Sequence, residues 1–119
     1  MRKLSLFATV IMAFCGAADA APAMTGSWNM VSSGQNGQKM TEGLNLTEKN
    51  GVLSGTVHFA TGTVQISNIK IQGNTLSYDF VLASTGQVHV TLQLQEDSLT
   101  GTFSTSQGGH GTITGMRGQ

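Results

Sequence analysis

With 119 residues the chain has room for one domain, and its six basic and six acidic side chains give no basic surface with which to hold nucleic acid or anionic lipid. A single cysteine, Cys15, excludes an internal disulfide. Charged residues are only 10% of the chain, and Thr, Ser, Gln, Asn and 16 glycines take their place, which predicts a polar but weakly charged surface.

The first element reads as an export signal. Arg2 and Lys3 make a positive start, Leu4 to Phe14 an apolar run, and Ala18-Asp19-Ala20 the small-x-small pattern that signal peptidase cuts after. Residues 1–20 are therefore expected to be a signal peptide cleaved after Ala20, with the domain at 21–119 and the protein in a bacterial periplasm or secreted. The apolar run is short for a membrane anchor, and bulky Phe14 before Cys15 does not suit lipid attachment. Processing removes Cys15 and leaves Lys39, Lys49, Lys70 and Arg117 against Glu42, Glu48, Asp79, Glu96 and Asp97, a net charge near −1.

From there on, apolar and polar residues alternate with the two-residue period of half-buried strands, and no segment carries a helical period. Eight strands are predicted, at about 26 to 33, 40 to 48, 52 to 60, 63 to 71, 75 to 83, 87 to 95, 98 to 105 and 111 to 117. Val88, Val90, Leu92 and Leu94, interleaved with Gln87, His89, Thr91 and Gln93, show the alternation most plainly. In the fourth segment the apolar parity shifts from Val64 and Ile66 to Ile69 and Ile71, which places a bulge near Ser67-Asn68. Asn36-Gly37, Asn50-Gly51, Gly73-Asn74, Thr85-Gly86, Glu96-Asp97 and Gly108-Gly109 supply turns between strands, Asn50-Gly51 being the strongest hairpin signal. Connections this short allow only antiparallel neighbours. The expected fold is all-β: an eight-stranded up-and-down meander barrel, with an open sandwich as the alternative. An internal echo supports two similar halves, since Leu44-Asn45-Leu46 and Leu53-Ser54-Gly55-Thr56 resemble Leu92-Gln93-Leu94 and Leu99-Thr100-Gly101-Thr102.

Gly26-Ser27-Trp28 on the first strand, the short hairpins and Arg117 on the last strand resemble the calycin superfamily, the barrel group of lipocalins and avidins. Gly51-Val52-Leu53-Ser54-Gly55-Thr56 is similar to hairpins of small bacterial calycin-like domains. The resemblance implies that Trp28 sits at the closed end of the barrel with Arg117 packed over its indole, a structural pair. Departures from the named families restrict the ligands that the resemblance can imply. Trp28 is the only tryptophan, whereas avidins line their site with several, and the mature chain lacks the disulfide common in lipocalins and in bacterial metalloprotease-inhibitor barrels.

Little in the chain speaks for catalysis. His58 and His89 fall on the outward parity of strands that are not neighbours, and His110 lies in a Gly-rich loop, so no metal site is expected. Gly108-Gly109-His110-Gly111 lacks the helix start and lysine of a phosphate loop. No serine sits in a strained elbow and no cysteine survives processing, so the chain is read as non-enzymatic and without a cofactor. A strand-built membrane span would need aromatic girdles, which one tryptophan and one tyrosine cannot make. Glu42 is the acid that stands out, because it shares parity with Met40, Leu44 and Leu46 and so points toward the barrel mouth.

Two functional readings remain. In the first the barrel binds a small hydrophobic ligand in an interior whose candidate contacts are Trp28, Met30, Glu42, Leu44, Phe59, Tyr78, Phe80, Val90 and Phe103, with Gly55 and Gly101 leaving room. In the second the core is filled and the barrel acts through its surface on a protein partner, as an inhibitor does.

Overall fold

The computed structural model describes residues 24–118; the predicted signal peptide lies outside the described residues. These residues form nine strands: β1 (Gly26–Gly34), β2 (Lys39–Lys49), β3 (Val52–Phe59), β4 (Gly62–Gln65), β5 (Ser67–Gln72), β6 (Thr75–Leu82), β7 (Gly86–Gln95), β8 (Ser98–Thr105) and β9 (His110–Arg117). They make one antiparallel sheet in the order β4-β3-β2-β1-β9-β8-β7-β6-β5, in which every hairpin-linked pair is adjacent and β1 meets β9. The architecture is an up-and-down, nearly closed barrel.

The count of eight strands is corrected to nine, because the fourth predicted strand changes partner midway. Its first half, β4, pairs with β3, and its second half, β5, pairs with β6. Only Ile66 separates the halves, and its N–H still donates to the Gly55 carbonyl at 3.1 Å. Between the pairs Ser67↔Asp79 and Lys70↔Ser77 the β5 side advances three residues while β6 advances two, so one residue is extra. Asn68 adopts a φ of +52°, a left-handed conformation that asparagine tolerates better than most residues, and its amide donates to Asp79 Oδ2 at 2.8 Å. The two ends of the sheet are thus consecutive pieces of one bent strand, which leaves little exposed edge.

The turn chemistry explains the register. At Asn50-Gly51 both residues have positive φ (55° and 81°), the two-residue hairpin geometry whose twist matches that of the flanking strands. Inward-facing positions then fill the interior: Trp28, Leu44, Leu46, Val57, Leu76, Tyr78, Leu92 and Leu99 are all 0–1% exposed. Gly55 and Gly101 do not leave room for a ligand as expected. A Cβ at Gly55 would lie 2.5 Å from the Asn45 carbonyl oxygen and 3.1 Å from Ile66 Cδ1, and one at Gly101 would be driven into the Thr91 carbonyl oxygen. They oppose Leu46 and Leu92 and let adjacent backbones approach closely where the wall curves.

Candidate functional site

A meander gives the barrel two unlike ends. At the end where β1 begins and β9 finishes, Trp28 and Arg117 are direct cross-strand partners and share the inner face. The guanidinium carbon lies 4.1 Å from the centroid of the Trp28 ring, Nη1 donates to the Thr25 carbonyl at 2.9 Å, and Nε sits 3.5 Å from Asp97 Oδ1. The indole N–H donates to the Met24 carbonyl at 2.9 Å, and Met24 itself is fully buried. This end is closed, as the resemblance implied. Met24 was not among the predicted core residues because it precedes the first alternating segment.

The opposite end is open. The ends of β1, β3, β6 and β8 and the starts of β2, β7 and β9 surround a cup of about 640 Å³. Its walls are Phe59, Phe80, Leu82, Val88, Val90, Phe103 and Ile113, with Ser32 and Glu42 from the β1–β2 pair and Gln35, Asn36, Gln107 and His110 at the rim. Phe59 and Phe80 have ring centroids 5.8 Å apart, and Phe80 and Tyr78 6.2 Å apart, so an aromatic wall descends from the mouth into the core. Phe103 opposes Gly111, and its ring reaches within 2.7 Å of the place a Cβ would take there. The β1 backbone demands glycine there as well, since a Cβ would be driven into the Ser33 carbonyl oxygen.

Two polar groups stand out in this apolar setting. Glu42 is 6% exposed, the one buried charged side chain among the described residues. Burial raises its pKa above the ordinary carboxylate value, and a hydrogen bond from Ser32 offsets part of that rise. Below it, Tyr78 is fully buried and its hydroxyl has no hydrogen-bond partner. Its pKa is pushed up by burial first and by the negative charge of Glu42 second.

Five of the nine candidate contacts, Glu42, Phe59, Phe80, Val90 and Phe103, line the cup together. Trp28, Met30, Leu44 and Tyr78 do not line it; they belong to the packed core, each at most 1% exposed. Strand parity distinguishes inside from outside but not top from bottom, which is why it grouped them. Val88, Leu82 and Ile113 were legible as inward-facing, yet only the strand directions put them at the mouth.

The three histidines are exposed, and two of them belong to polar networks that sequence reasoning did not foresee. Thr63 Oγ1 and His58 Nδ1 are 2.7 Å apart, and Asn45 Nδ2 lies 3.3 Å from His58 Nε2. On the far wall Asp79 Oδ1 meets His89 Nδ1 at 2.5 Å, and Thr91 Oγ1 lies 3.4 Å from His89 Nε2. Hydrogen bonds from Asn68 and then His89 hold the Asp79 pKa below its ordinary value. Register explains the contact, since Asp79 and His89 are paired across β6 and β7. This acid–histidine–hydroxyl row faces outward, on the side of the wall away from the cup. Among the described residues no group of three or more His, Cys, Asp or Glu side chains is arranged to hold a metal ion.

No protein-family model matches the chain, and no curated protein matches it. Solved structures do. A redesigned β-barrel superimposes with a TM-score of 0.68 at 17% identity, covering 84% of this chain and 96% of that one. A de novo designed fluorescence-activating β-barrel gives 0.63 at 17% identity, covering 84% and 98%. A redesigned barrel bound to DFHBI gives 0.59 at 16% identity, covering 82% and 98%. Similarity at this level of identity establishes the barrel fold.

Proposed function

We propose that this protein is an exported, non-enzymatic binding module of the calycin-like type, which holds a small hydrophobic ligand in the cup at its open end. The cup itself carries the reading: about 640 Å³ of space, walled by three phenylalanines and four aliphatic side chains and reached from one end only, is the form in which proteins take up small apolar molecules. That the similar designed barrels include one bound to DFHBI supports the capacity of this layout for a small molecule. The Asp79–His89–Thr91 row lies on the outer face of the wall, away from the cup, and no reaction is assigned to it. The signal-like N-terminal sequence supports a location in the periplasm or outside the cell.

The test is native mass spectrometry of the protein purified gently from its own host, followed by extraction and identification of small molecules. A stoichiometric apolar adduct that Phe80→Trp or Phe103→Trp displaces is the expected result. A clean apo mass, with thermal stability unmoved by added apolar ligands, would refute the carrier reading and turn attention to protein partners.

A further inference from the structure

A carboxylate is costly to bury beside phenylalanines unless something meets its charge. Glu42 is 6% exposed, and among the described residues no cation is ion-paired with it: Lys39, at the rim of the same cup, is exposed and makes no ion pair, and the ion pairs are His89–Asp79 and Arg117–Asp97. One hydrogen bond, from Ser32, is all the protein offers it. Beneath it, in the packed core, the Tyr78 hydroxyl is buried without a partner. A buried carboxylate so poorly satisfied in the wall of an open cup is rare in folded proteins, and a ligand is an ordinary reason for it.

The surroundings narrow the chemistry. Continuing the β2–β3 register one residue beyond Gly43↔His58 sets Phe59 across from Glu42. Phe59 stacks toward Phe80, and Phe80 toward Tyr78, at centroid distances of 5.8 and 6.2 Å. Aromatic faces attract a cation within about 6 Å and repel an anion. A metal ion would want several strong donors converging on it, and no group of three or more His, Cys, Asp or Glu side chains is so arranged among the described residues. An organic cation wants one acceptor and a set of ring faces.

We infer that the cup is built for a hydrophobic organic cation, an alkyl- or arylammonium whose N–H groups meet the Glu42 carboxylate while its apolar body lies against Phe59, Phe80 and Phe103. This rests on the carrier reading above and names its ligand class.

The experiment is a binding titration at neutral pH with three probes of one length, octylamine, octan-1-ol and octanoate, followed by NMR shifts of cup residues. Octylamine is expected to bind at least about tenfold tighter than octanol, the lower range of what a charge-assisted hydrogen bond contributes, and octanoate most weakly. Glu42→Gln should abolish the preference for the amine over the alcohol. Equal affinity for amine and alcohol, tighter binding of octanoate, or an amine preference that survives Glu42→Gln would overturn the inference while leaving the carrier reading intact. Failure of all three probes to shift any cup residue would overturn both. The comparison among probes needs only the unaltered protein, so it decides the matter even if a variant misfolds.

Discussion

The division of the barrel into a packed floor and an open cup can be tested by truncating one side chain in each. Leu92 is fully buried in the floor, opposite Gly101 and Leu76. Leu92→Ala removes three carbons, worth about 2 kcal/mol of transfer at roughly 0.8 kcal/mol per methylene. It also leaves a closed void that adds about 1 to 2 kcal/mol, for a total of about 3 to 4 kcal/mol. Phe103 is larger and would cost about as much in an ordinary core. Here it is half-buried and one side of its ring already faces the cup, so Phe103→Ala enlarges an open space instead of creating a closed one. Only its contact with the wall is lost, about 1 to 1.5 kcal/mol. Urea unfolding followed by far-UV circular dichroism and by Trp28 fluorescence would give both values. For a domain of this size Leu92→Ala should lower Tm by about 15 °C and Phe103→Ala by about 5 °C. Equal costs would mean that the open end is packed as tightly as the floor, and the cup would have to be abandoned.

Three other contacts make predictions of their own. Arg117→Gln and Trp28→Leu, singly and together, should show a coupling of about 1 kcal/mol in a double-mutant cycle by chemical unfolding, the worth of a partly shielded cation–π contact; additive effects would mean that the guanidinium only rests on the ring. Asn68→Gly keeps the left-handed backbone but removes the amide that lowers the Asp79 pKa. A depressed carboxylate contributes stability above its unfolded pKa, so wild type should exceed the variant at neutral pH and the gap should close as pH falls through the Asp79 titration, with the carboxyl carbon titrating at higher pH in the variant by NMR. Glu42 has the opposite sign. Its raised pKa gives wild type a relative advantage only below the unfolded value, lost as pH rises through the folded one, so ligand-free Glu42→Gln should be the more stable protein at pH 7 and lose that lead in acid, read from melting curves across the pH range.

Most of the fold was legible because a strand states its inner face in every second residue. The run from Val88 to Leu94 sits where its alternation puts it, with Val88, Val90 and Leu92 buried and Gln87, His89 and Gln93 outward. The extra residue near Ser67-Asn68 was legible from parity too. That it would divide the strand was not, because parity records which face a residue takes and says nothing of which neighbour it bonds. The site was half legible for the same reason. Glu42 was marked by its company on β2, while the orphaned Tyr78 hydroxyl depends on distances across the barrel that no local pattern encodes. His89 meeting Asp79 is likewise a matter of register, ten residues apart in sequence and side by side in the sheet.

The asymmetry of the barrel reflects how few devices this chain has for holding itself together. Without a disulfide among its described residues, and with few charges, stability must come from packed apolar surface. An open cup surrenders part of that surface. The closed end offsets the loss by concentrating what the sequence has: its single tryptophan, a buried methionine hydrogen-bonded to that indole through its carbonyl, and an arginine laid across the ring. Below the aromatic wall Leu44, Leu46, Leu76, Leu92 and Leu99 are fully buried, and inward glycines at 55 and 101 draw the strands close around them. A packed floor of this kind lets the mouth carry a group that weakens a core, a carboxylate without an ion-pair partner. If the proposed ligand exists, the place to seek it is beside Glu42 in the open cup and not around the packed Trp28.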